Sequence, residues 1–282
     1  WAIRFKKEYN NDFSDFKPLD EMSIGCIYEK PSTRTRVSFE VGISQQGGST
    51  TVLQSSDIQL SRGETVADTA KVLSNYVDLI VIRCFKHQTM IDFANNSSVP
   101  VINGLTDQSH PCQVISDILT IEENKGHLSK QNLLWIGDGN NVARSWLEAS
   151  TVTNLNLTIC TPKHLSLSDN LIESSVRNGA NVIVDYDPKN AITNKSVVIT
   201  DTWNSMGDGS ANKENSLMPY QVNKNLMTKA AKSAVFMHCL PAHRGHEVTG
   251  EVIDSKQSLV FEGAENRLHV QRSIIWWCLN SD

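Results

Sequence analysis

Short apolar runs bounded by turn residues alternate along this chain with stretches of helical period, and that alternation limits the fold more than any other feature. The apolar runs cover residues 24–28, 79–83, 99–103, 133–136, 157–160, 181–184, 197–200 and 235–239. The periodic stretches include 34–46, 65–76, 90–95, 111–124, 141–150 and 169–178. Strands separated by helices cannot pair as hairpins. They pair in parallel, and a parallel sheet needs helices over both faces. The expected class is α/β, with two domains, each a mostly parallel sheet flanked by helices. The 282 residues leave room for both.

A boundary is expected at Lys125-Gly126, where a long helix stops ahead of polar Ser129-Lys130-Gln131-Asn132. That divides the chain into residues 1–125 and 126–263. Residues 264–282 read as a terminal helix, with Leu268, Val270, Ile274, Ile275 and Trp277 apolar, returning to the first domain. Ligands of such folds sit just beyond the carboxyl ends of the strands.

Within this frame the most informative residues are Ser32-Thr33-Arg34-Thr35-Arg36. They fall between a strand and a helix, so two guanidiniums occupy a first helical turn. A helix N-terminus carries partial positive charge, and each arginine there costs about 0.3–1 kcal/mol. An anion among them reverses the sign, because free N–H groups, hydroxyls and guanidinium all favour phosphate oxygens. The formal charge of −5 gives no support to nucleic acid as that anion. Any anion site must be a local basic cluster, and for the arginine pair alone a solvated surface or a structural ion pair is an equal reading.

Three more segments follow strands: His110-Pro111-Cys112-Gln113, Asp201 to Gly207, and Met237 to Gly245. Each has a plain structural reading. His110 could cap a turn, Asp201 a helix, and Cys239 could be a small buried hydrophobe. Gly137-Asp138-Gly139-Asn140-Asn141 starts like a dinucleotide fingerprint, but Val142 stands where the third glycine belongs. It reads as a strand-to-helix turn whose asparagines face the cleft.

Taken in order, these segments resemble the aspartate/ornithine carbamoyltransferase family over nearly the whole chain. Ser-Thr-Arg-Thr-Arg and His-Pro-x-Gln are shared across the family. Asp-x-x-x-Ser-Met-Gly at 201–207 and His-Cys-Leu-Pro at 238–241 are its ornithine-type signatures. The resemblance implies transfer of a carbamoyl group from carbamoyl phosphate to the δ-amine of L-ornithine, giving L-citrulline in arginine metabolism. It implies a carbamoyl-phosphate domain followed by an ornithine domain. It also implies a homotrimer with active sites at subunit interfaces.

By position, the resemblance gives the phosphate to Ser32, Thr33, Arg34 and Thr35. Arg83, His110 and Gln113 contact the rest of carbamoyl phosphate, joined by Gln59 from a neighbouring subunit. Cys239, Leu240 and Arg267 line the reacting end. Asn141, Asp201, Ser205 and Met206 hold ornithine. Arg83, His110, Cys239 and Asp201 are the implied catalytic set, with Cys239 and Asp201 orienting the amine; which of them takes its proton is left open, as is the role of Arg36.

No cofactor and no metal is expected, and no covalent intermediate is required, since carbamoyl phosphate is already activated. No stretch approaches the roughly 20 apolar residues of a membrane span. The six cysteines have neither CxxC nor zinc-type spacing, which suits thiols in a reducing compartment. Cytosol is the expected location; a start at Trp1 is also compatible with a processed mitochondrial matrix protein.

Overall fold

The computed structural model describes residues 1–8, 16–29, 32–54, 63–203 and 211–280. Within it the chain forms two compact units, residues 1–115 with 265–282, and residues 116–264. Each is built on its own parallel sheet.

In the first unit, β1 (Ser23–Tyr28), β2 (Ser49–Gln54), β3 (Leu79–Arg83) and β4 (Val101–Leu105) lie in the order β2-β1-β3-β4. Alternation along the strands sorts the core into two faces. Ile24, Cys26, Tyr28, Leu79 and Val81 cluster with Phe39 and Ile43 of α2 (Arg34–Gln45) and Ile275 of α12 (Val260–Asn280). Ile27, Ile80 and Ile82 face the other way, against Ala70 of α3 (Val66–Leu73) and Phe93 of α4 (His87–Asn96). The terminal helix therefore does return to this unit. At Gly42 of α2 an added Cβ would lie 3.3 Å from Arg272 Cγ of α12, so the two helices pack closely.

In the second unit the order is β7-β6-β5-β8-β9. The strands are β5 (Asn132–Ile136), β6 (Asn156–Cys160), β7 (Asn181–Asp185), β8 (Val197–Thr200) and β9 (Val235–His238). Leu134, Ile136, Val198 and Phe236 share one core face with Val222, Leu226, Val252 and Ile253. Helix α6 (Asn141–Val152) follows β5 and packs near β6 and β7.

Eight of the nine strands among the described residues coincide with the apolar runs to within two residues. The exception is β2, an edge strand whose Ser-Thr-Thr start is polar and partly exposed. A strand with solvent along one edge needs no apolar run. The compact units meet inside α5 (Pro111–Lys125), ahead of the helix end at 125. Periodicity marks where a helix stops and cannot mark where along it the packing partner changes. Cys112 lies in the first unit's core, whereas Ser116 Oγ one turn later donates to Gly263 O at 3.0 Å.

Gly139, in the turn after β5, tests this packing. A Cβ there would collide with the carbonyl oxygen of Leu165 and crowd Leu167 N. These are backbone atoms of one segment, which cannot yield as a side-chain end would, so Gly139→Ala is expected to lower the unfolding free energy by about 3 kcal/mol in urea titration.

Candidate active site

Each sheet has one place where neighbouring strands send their chains off in opposite directions, and such a crevice is where parallel sheets bind ligands. In the first unit it lies between β1 and β3. The segment after β1 leads into α2, whose first turn holds no acidic residue and whose Thr33 side chain makes no capping bond. Arg83 ends β3, beside a register shift against β4 at Ile82/Arg83. Such irregularities re-aim a side chain.

Arg83 turns its Nη1 to Thr35 Oγ1 at 3.1 Å, and Arg267 Nη2 donates to the same oxygen at 2.9 Å. Arg267 Nη1 also donates to Gln113 Oε1 at 2.6 Å. Thr35, Gln113 and Arg267 are all buried. His110 joins them, set by a loop in which Ser109 N donates to Thr106 Oγ1 and Asn103 Nδ2 to Ser109 Oγ. Burial holds the His110 imidazole well below its ordinary pKa, and the Arg267, Arg83 and Arg34 guanidiniums push it the same way. The result is a neutral ring among three cations, two of them held by hydrogen bonds, an arrangement that suits a small, doubly charged anion. Arg36 points elsewhere: its Nε pairs with Glu40 Oε1 at 2.7 Å, half-exposed, on the helix's own surface. Cys112, next to His110, is core; burial pushes its thiol up to about 11.

In the second unit the corresponding place lies between β5 and β8. Asp201, just past β8, is buried and accepts at both oxygens. Its Oδ1 takes Thr202 N at 2.8 Å and the Cys239 thiol at 2.7 Å, and its Oδ2 takes Asn140 Nδ2 at 2.9 Å. The Asp201 helix-cap reading is thereby set aside, since its partners are a thiol, an amide and the next residue's N–H. Cys239 stands one residue past β9 and is half-buried.

Leu240 has φ +58°, a region that costs a branched residue about 1–3 kcal/mol. Its N–H is held by His238 Nδ1 at 2.8 Å, so the ring's proton sits on Nε2, 3.3 Å from Glu247 Oε1. Burial by itself would raise the Glu247 carboxyl. The His238 ring and the backbone N–H of His243 outweigh it and hold the group below the ordinary range. Asp201, His238 and Cys239 also place one ligand atom each within 4.8 Å of one another, but both His238 nitrogens are committed, Nδ1 to Leu240 N and Nε2 toward Glu247.

The structure thus brings Thr35, Arg83, His110, Gln113 and Arg267 together in one unit, and Asp201 and Cys239 in the other. Ser32, Thr33 and Arg34 stand at the start of α2. Gln59, Ser205 and Met206 lie outside the described residues. Asn141 opens α6, while its neighbour Asn140 makes the contact to Asp201. Reading the sequence left out Asn140, His238 and Glu247 as site residues. The His238 signal was present in the His-Cys-Leu-Pro motif, but Glu247 has no local mark.

The turn after β5 offers little to a dinucleotide. Gly139 N is bonded to Leu165 O at 3.1 Å, and Asn140 Oδ1 takes the N–H groups of Val142 and Ala143. The amides a pyrophosphate would need are committed. Asp138 in this turn pairs with Lys213 Nζ at 2.8 Å, largely buried, and its carbonyl accepts from Trp135 Nε1 at 2.9 Å.

The neutral His110 has a consequence for stability. Below about pH 6.5 a histidine in the unfolded chain takes up a proton that the buried ring refuses. The unfolded state then binds more protons, so this contribution is complete above that pH and is lost as pH falls toward the folded-state value. His110→Gln should therefore show a smaller drop in urea midpoint than the parent between about pH 7 and pH 5.

Comparison with known proteins gives one answer. Residues 1–123 match the carbamoyl-P binding domain, and residues 129–278 the Asp/Orn binding domain, of aspartate/ornithine carbamoyltransferase. An ornithine carbamoyltransferase of Rhodopseudomonas palustris is 49% identical over 281 residues, spanning 99% of this chain and 90% of that protein. One from Brucella ovis is 51% identical over 264 residues, 93% of this chain and 85% of that one. The solved ornithine carbamoyltransferase of Pyrococcus furiosus superposes with a TM-score of 0.92 at 42% identity, covering 97% of this chain and 89% of its own. The anabolic enzyme of Campylobacter jejuni superposes at 0.93 with 37% identity, covering 100% and 94%. With both family domains matched in order and the motif residues gathered as described, the chain belongs to the aspartate/ornithine carbamoyltransferase family.

Proposed function

We propose that this protein transfers the carbamoyl group of carbamoyl phosphate to the δ-amine of L-ornithine, releasing L-citrulline and phosphate. The observation that carries the reading is the cluster at Thr35, where two guanidiniums share one hydroxyl beside a neutral histidine. The names of the similar proteins support ornithine as the acceptor. So does the second unit, where a carboxylate at Asp201 suits an incoming cation and would repel a second substrate carboxylate such as that of aspartate.

In this reading residues 1–125 hold carbamoyl phosphate, 126–263 hold ornithine, and 264–282 return Arg267 to the first site. Ser32, Thr33, Arg34 and Thr35 take the phosphate at the α2 N-terminus, with Arg83 and Arg267 beside it. Gln59 completes that site from a neighbouring copy. His110, neutral, donates to the carbonyl oxygen while Gln113 holds the amino end. Asn141, Asp201, Ser205 and Met206 receive ornithine, with Cys239 and Leu240 at the reacting atoms.

An alkyl amine with a pKa of about 10.4 arrives protonated and must lose that proton to attack. Asp201 and Cys239, hydrogen-bonded to each other, orient it for that loss. Attack puts negative charge on the carbonyl oxygen, and expulsion moves it to phosphate. Arg83, Arg267 and His110 are in place before either event, and Arg34 stands beside them, so little reorganisation accompanies the charge. Two protons leave the ammonium in all, one to free the amine and one as the intermediate collapses; phosphate carries one away, the other passes to solvent, and no bond to the protein is formed.

The same site serves arginine synthesis or its reverse. A homotrimer with sites at the subunit interfaces fits the role given to Gln59. A cytoplasmic location fits the six cysteines, all present as thiols. Among the described residues no helix is long and apolar enough to cross a membrane.

Colorimetric citrulline formation should be at least about tenfold faster with ornithine than ureido-product formation with aspartate or putrescine, a difference one misplaced charged contact readily produces. Arg34→Gly is expected to cut turnover about a hundredfold or more while leaving the thermal midpoint close to the parent's, as loss of a preorganised charge does. Near-parental turnover would remove Arg34 from the phosphate site. Cys239→Ala with unchanged turnover would likewise remove the thiol from the chemistry.

A further inference from the structure

Asn140 has no role in the reading above, which gives ornithine to its neighbour Asn141, yet its side chain makes three bonds. Oδ1 accepts from Val142 N at 2.9 Å and Ala143 N at 3.1 Å, capping α6. Nδ2 donates to Asp201 Oδ2 at 2.9 Å. These bonds decide the orientation of the amide. Flipped, it would point N–H groups at two backbone N–H groups and its oxygen at a carboxylate, with every contact repulsive.

The helix cap therefore aims a donor at Asp201 from a fixed point. The turn leading into that point is itself held. Gly139 is wedged against Leu165, and Asp138 is tied to Lys213 and Trp135. The remaining bonds to Asp201 come from Thr202, the next residue, and from the Cys239 thiol. Among the described residues, Asn140 thus fixes Asp201 from the neighbouring strand's turn, across the β5/β8 crevice.

We propose that Asn140 is a positioning residue for the acceptor end of the site. It uses the α6 cap as an anchor to hold the Asp201 carboxylate in register with the Cys239 thiol. The proposal rests on Asp201 receiving the amine, and it separates capping from positioning by residue chemistry. Serine caps a helix about as well as asparagine but cannot reach Asp201; alanine does neither.

Asn140→Ser should keep the parent's thermal midpoint, whereas Asn140→Ala should lose about 2–4 °C. Both should lower kcat/KM for ornithine by about ten- to a hundredfold, with KM for carbamoyl phosphate unchanged. A second readout does not need turnover: iodoacetamide alkylation of Cys239, mapped by peptide mass, with Cys278 as internal reference. Loosening the carboxylate from the thiol should speed Cys239 alkylation several-fold in Asn140→Ser. Should the parent make no citrulline, the proposed reaction fails and the alkylation arm alone decides the role of Asn140. A folded Asn140→Ser with a parental Cys239 alkylation rate overturns the assignment and leaves Asn140 a cap. If that variant does not fold, Asn140→Asp keeps the capping oxygen and sets a like charge against Asp201. A changed alkylation rate in it supports the assignment, and an unchanged one overturns it.

Discussion

Parallel strand pairing is the constraint on which the rest of this structure depends. It obliges the chain to leave each strand at the same end, cross over through a helix, and return. All strand carboxyl ends in a sheet then share one edge, and a crevice opens wherever successive crossovers diverge. In the first unit that place collects the start of α2 after β1 and Arg83 at the end of β3. In the second it collects Asn140 after β5 and Asp201 after β8. Residues far apart in sequence become neighbours without any loop having to search for them.

The two crevices solve opposite electrostatic problems. Around Thr35, cationic side chains gather beside a histidine held neutral, so an arriving anion meets donors that need not move. Around Asp201, a single carboxylate is held by an amide, a thiol and a backbone N–H, none of them cationic. Among the described residues no salt bridge to Asp201 stands in the way of an approaching cationic group. This asymmetry, cationic donors on one sheet and a carboxylate on the other, matches what the proposed reaction of a phosphate-activated donor with an amine requires.

Much of this was legible beforehand, for a physical reason. Side-chain period is a local property, so strands such as Leu79–Arg83 and Val197–Thr200 could be read within a residue or two. Edge strand β2 could not, because solvent on one side removes the apolar demand. Arginines in a helix's first turn broke a local rule, and the violation pointed to an anion. Asn140 and Asn141 are the instructive pair: adjacent and chemically identical, they are separated only by which lies at the cap and which begins the helix. Glu247 is silent in sequence, because its role comes from a histidine nine residues earlier that burial brings back to it.

By itself, then, the sequence determined the α/β class, the strand and helix order, and the residue types that would meet at the strand ends. Tertiary structure alone decided the rest. It chose Asn140 over Asn141 as the partner of Asp201 and turned Arg36 away to Glu40. It set His238 under Leu240, made the His110 ring neutral, and moved the division between units into the interior of a helix. Each of these depends on distance through space, burial and the direction of a donor. A chain's local pattern carries none of these quantities until it is folded.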